Sequence, residues 1–105
     1  METLTFDYPA GHRARSRALV GVVASGDLEV LLEPADDART IVRVTTSVDG
    51  MAGVWAAVLE RIFGTGTLPA ARLEINDFGA TPGVVRMRVG QVLDMIAADD
   101  TGARQ

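Results

Sequence analysis

Apolar positions change their spacing along this 105-residue chain, and each change marks a new kind of element. Through residue 47 they alternate or run continuously, which predicts strands at residues 4–8, 17–24, 28–33 and 41–47. The third is the clearest, with Leu28, Val30 and Leu32 alternating with Glu29, Leu31 and Glu33. Ser25, Gly26 and Asp27 separate the second and third strands with the residue types of a tight hairpin. A polar turn at residues 34–39 separates the third and fourth, so the four strands are expected to form an antiparallel meander.

From Met51 the spacing shifts to three and four. Met51, Val54, Trp55, Val58, Leu59, Ile62 and Phe63 build one helical stripe, which Gly64 and Gly66 then stop. Residues 72–77 alternate again and predict a further strand. Thr81 then offers an N-cap, with Pro82 at the first helical position. The second helix is expected to run to about residue 97, with Val85, Val89, Val92, Leu93 and Ile96 inward. Arg86, Arg88, Gln91 and Asp94 face water on this reading, and residues 99–105 form a flexible tail.

A strand, helix, strand succession implies a right-handed crossover that sets the strand at Ile41 parallel to the strand at Arg72. The expected fold is α+β: a two-layer sandwich with a mixed, mostly antiparallel sheet of four to five strands and two helices on one face. Residues 1–98 form its single domain. A chain of this length folds unaided but does not enclose a large catalytic cavity.

Composition narrows the chemistry. No run approaches the roughly eighteen apolar residues of a membrane span, and the N-terminus has no basic segment followed by an apolar core. A cytoplasmic protein without membrane contact is expected. The absence of cysteine removes disulfide and thiolate chemistry, and the absence of lysine removes the Walker-type phosphate loop and Schiff-base catalysis. A formal charge of −4 argues against nucleic-acid binding.

His12 has no second imidazole or thiolate with which to share a metal, and reads as a solvated loop residue. With Arg13, Arg15 and Arg17 it forms a basic cluster, read first as a solvated strand entry and second as a phosphate or partner contact. Asp77, Phe78 and Gly79 match a kinase magnesium motif in letters only, and read as a strand-ending turn that aims the last helix. Glu29, Glu33, Glu60 and Glu74 are not forced together by their spacing. Trp55, Phe63 and Met87 read as core or interface residues. No residue is assigned as catalytic or as a metal ligand.

One serine stands apart. At its hairpin the Ser25 hydroxyl is expected to lie clear of the core, beside a Gly26 that leaves room for a bulky group. Asp27 is read as turn-forming. The run from Val20 to Pro34, with Asn76 to Gly83, resembles the acyl-carrier (delta) subunit of malonate decarboxylase, and more distantly the citrate lyase acyl-carrier (gamma) subunit.

The resemblance to the delta subunit covers residues 1–97. It implies that Ser25 bears 2'-(5''-phosphoribosyl)-3'-dephospho-coenzyme A through a phosphodiester, with Gly26 and Asp27 beside it. The thiol of that arm would carry acetyl and malonyl groups between transferase and decarboxylase subunits, after a prosthetic-group transferase had attached it. The chain itself would catalyse no step. Two other readings stand beside this one: the citrate lyase carrier, and an unmodified module that binds a partner through its exposed sheet face.

Overall fold

The computed structural model describes residues 1–14, 17–20, 28–66 and 68–102. Five strands and two helices follow in the order β1 (Glu2–Pro9), β2 (Ala18–Val20), β3 (Leu28–Pro34), β4 (Arg39–Thr46), α1 (Ala52–Phe63), β5 (Ala71–Asp77) and α2 (Pro82–Gly102). The sheet order is β1-β4-β5-β3-β2. β4 and β5 are parallel, with Ile41 opposite Arg72, and the other three pairs are antiparallel.

The alternation along each strand decides which face is covered. Leu28, Val30 and Leu32 are buried together with Val42, Val44, Leu73 and Ile75, while Arg43, Arg72 and Glu74 lie exposed on the opposite face. The helices close the buried side. Trp55, Val58, Leu59 and Phe63 come from α1, and Val85, Val89, Val92 and Ile96 from α2, all within the same core. Tyr8 stacks on Phe63 with ring centroids 5.7 Å apart, which anchors the end of β1 beneath the end of α1.

The expected meander is corrected. β2 and β3 form a hairpin pair, but β3 does not continue onto β4, because β5 lies between them. β1 already occupies the outer side of β4, so the crossover through α1 returns to the one free neighbouring slot. Skipping one strand means spanning about 10 Å. The five backbone steps from Pro34 to Arg39 can cover about 17 Å, so the short polar link suffices.

The second helix also departs from expectation, running to Gly102 rather than 97. Its apolar stripe ends at Ile96, but no breaker follows until Gly102, and the two alanines at 97 and 98 favour continuation. Thr81 does cap it: the hydroxyl accepts a bond from the Val84 amide at 3.3 Å. At the end of α1, Gly64 keeps right-handed helical angles, and the left-handed residue is Gly66. Arg88 is half-buried rather than facing water, and its Nε is buried without a hydrogen-bond partner among the described residues.

Candidate functional site

Topology gives the sheet two unlike ends. At one end β4 and β5 finish, β3 starts, and both helices begin. Glu2, Thr46, Asp77 and Leu28 form a single row across four neighbouring strands there. β2 finishes toward this same end, beside the first residues of β3.

Ser25, Gly26 and Asp27, with residues 21–24 of the expected second strand, lie outside the described residues. Their flanks are defined. Ala18 pairs with Leu32, Leu19 with Leu31 and Val20 with Val30, so every pair is numbered symmetrically about residue 25. Leu28, the first residue of β3, sits beside Asp77, the last of β5. The flanks of residues 21–27, Val20 and Leu28, and the turn at residues 76–83 therefore belong to one end of the molecule, although some fifty residues separate Leu28 from Asp77 in sequence.

Asp77 organises that end. Only 4% exposed, its carboxylate accepts the Thr46 hydroxyl at 2.8 Å and the amides of Gly79 and Ala80 at 3.1 and 2.8 Å. Its carbonyl accepts the Ser47 amide at 3.0 Å. The Thr46 hydroxyl in turn accepts the Val48 amide at 3.0 Å. A buried carboxylate is tolerable when its lone pairs are filled in this way. Gly79 adopts φ +114°, a conformation that side-chain-bearing residues rarely enter, so the turn needs glycine there. The reading of residues 77–79 as a strand-ending turn holds, with a hydrogen-bonded carboxylate at its centre.

Next to this turn a cleft opens between the starts of the two helices. About 170 Å³ in volume, it is walled by Val48, Met51, Val54, Trp55, Val85 and Asp77 among others. Trp55 is thus both a core residue and a cleft wall, whereas Phe63 is wholly core and Met87 lies exposed on α2. Phe78, 61% exposed, stands beside the same turn. Asn76 donates from Nδ2 to Glu29 at 3.0 Å on the open face of the sheet, joining the two sequence runs a second time.

The opposite end carries the basic cluster. Gly11, His12 and Ala14 are tied by backbone bonds to Leu68 and Ala70, where the β1–β2 connection passes the start of β5. Arg13 pairs with Asp36 at 2.6 Å, and Arg17 lies 3.9 Å from Glu33. Arg15 lies outside the described residues. The cluster sits a full strand length from Leu28, as a solvated strand entry does. Tyr8, also at this end, has its hydroxyl pKa raised above the usual value near 10 by burial and, secondarily, by the charge of Glu60. Among the described residues no group of acids or histidines could hold a metal ion.

The malonate decarboxylase delta subunit family model matches residues 15–103. The chain belongs to that family. It is 54% identical over 99 residues to the malonate decarboxylase acyl carrier protein of Pseudomonas aeruginosa, covering 94% of this chain and all of the relative. The corresponding protein of Azotobacter vinelandii is 54% identical over 97 residues, 92% of this chain and 98% of the relative. A chain in the crystal structure of a Pseudomonas malonate decarboxylase hetero-tetramer with malonate superposes with a TM-score of 0.85. That chain is 54% identical, with 91% of this chain and 99% of the other covered. The family decides between the carriers anticipated from sequence in favour of the malonate one.

Proposed function

We propose that this chain is the acyl carrier of a cytoplasmic malonate decarboxylase, with its prosthetic arm attached by a phosphodiester to Ser25. The arm is 2'-(5''-phosphoribosyl)-3'-dephospho-coenzyme A, whose thiol supplies the thioester that carries acetyl and malonyl groups. Family membership supports the carrier role. The observation that supports Ser25 is the β2–β3 register, whose pairs are numbered symmetrically about residue 25 and whose strand β3 starts beside Asp77, at the end of the turn at 76–83.

The chain's own part is to present and to hold. On this reading a surface hairpin at the end of a packed sheet would offer its hydroxyl to a transferase. Gly26 leaves space for the phosphodiester, and Asp27 shapes the turn. The residues present fit an anionic graft. Arg88, on the helix that packs against β2 and β3, keeps a buried Nε donor with no partner among the described residues. The acyl chemistry belongs, on this reading, to transferase and decarboxylase subunits that bind this end.

Intact mass of the chain co-produced with its prosthetic-group transferase tests the reading. The expected result is a single adduct of the stated arm that disappears in Ser25→Ala. A bare mass, or an adduct that persists in that variant, overturns it.

A further inference from the structure

We infer that the cleft between the starts of α1 and α2 receives the neutral, acetylated end of the arm and excludes the malonylated end. This inference rests on the carrier reading above. Its occupant follows from reach, size and charge.

Reach comes from covalent geometry alone. Three backbone steps from Ser25 to Leu28 span at most about 11 Å, and Leu28 lies beside Asp77, about 5 Å away across an antiparallel pair. The attachment point is therefore within about 16 Å of the cleft wall whatever path residues 25–28 take. An arm with a ribosyl group, a nucleotide and a pantetheine in series is longer than that.

Size agrees. Apolar cavities of about 150 Å³ take up solutes as large as benzene, and this cleft measures about 170 Å³. An acetyl group with its sulfur and the first methylene is smaller than benzene. Val48, Met51, Val54 and Trp55 offer it the apolar wall that a methyl thioester prefers to water.

Charge separates the two acyl forms. The one ionisable residue in the lining is Asp77, and its carboxylate is already occupied by Thr46, Gly79 and Ala80. A malonyl carboxylate in the same cleft would lose its water, meet a like charge and find no cation. The starts of α1, which no side chain caps, and of α2, which Thr81 caps, offer only about half a positive charge each in return. Two arginines, Arg61 and Arg86, line a more open depression that shares Val54, Val58 and Pro82 with the cleft. A malonyl group is drawn there, toward solvent and the partner subunits. The acetyl thioester that must persist between cycles is sheltered from hydrolysis.

Trp55, the single tryptophan of the chain, lines the cleft and reports its occupancy. The chain loaded by its own transferase is first mapped for an adduct on Ser25, then charged with acetyl or malonyl. The acetyl form is expected to shift Trp55 emission relative to the malonyl form. It is also expected to react with hydroxylamine about tenfold more slowly, the protection given by docking nine-tenths of the time. Val54→Glu, on a residue 39% exposed, should abolish both differences, and Ala80→Leu, which fills the cleft, should do the same. Equal emission and equal hydroxylamine rates for the two forms, with the arm mapped to Ser25, overturn the docking while the carrier reading stands. An adduct absent from Ser25 overturns the carrier reading itself.

Discussion

The two ends of the sheet use their polar residues in opposite ways. At the end where β4 and β5 finish, one buried carboxylate, Asp77, gathers a hydroxyl and two amides and fixes the turn into α2. At the other end, Arg13 and Asp36 meet in water, with side chains 56% and 85% exposed. The charged letters look alike in sequence. What separates them is desolvation, which makes a buried network specific and leaves an exposed ion pair nearly neutral in energy.

Substitutions at the two ends should therefore differ in kind. Ser25→Ala should abolish arm loading and malonate decarboxylation by the reconstituted complex while leaving the thermal unfolding curve unchanged, a complete loss of function without loss of fold. Asp77→Ala strands the Thr46 hydroxyl and two turn amides. Denaturant unfolding should show a loss of about 2–4 kcal/mol, and a value near zero would mean that the turn is not the organiser of its end.

At the far end the effects are smaller. The raised pKa of Tyr8 means that the folded chain holds this proton more tightly than the unfolded chain does. Its contribution is fully present below the usual tyrosine value near 10 and is lost as pH rises through the folded value, so the unfolding midpoint should fall in that alkaline window. Tyr8→Phe should remove that part of the decline. Arg13→Ala should change stability by less than about 1 kcal/mol and leave arm loading untouched. A loading defect in this variant would bring the basic cluster back into the site and break the contrast between the ends.

Local features of the fold were legible because local physics produces them. The alternation of Leu28, Val30 and Leu32 identified both the strand and its buried face. The stripe from Trp55 to Phe63 did the same for α1, and Thr81 with Pro82 marked the start of α2. Even the parallel partner of Ile41 followed from the helix between the strands.

Long-range choices were not legible. Nothing in residues 28–47 says that β5 will enter between β3 and β4, because that slot depends on β1 having taken the other side. Asp77 reads as a turn residue, and its burial appears only when Thr46 and the start of α2 are brought beside it. The cleft was invisible for the same reason, since its walls come from two helices and two loops. Ser25 itself lies outside the described residues: its turn chemistry pointed to a hairpin, and the expectation of an arm came from the family resemblance alone.

The central claim is that one serine hydroxyl carries the acyl arm, and peptide mapping of the loaded chain tests it most directly. Tandem mass spectrometry should place the whole phosphoribosyl-dephospho-coenzyme A mass on the peptide that spans Val20 to Pro34, at Ser25. The same mass on Ser16, Ser47 or any other hydroxyl would contradict the account.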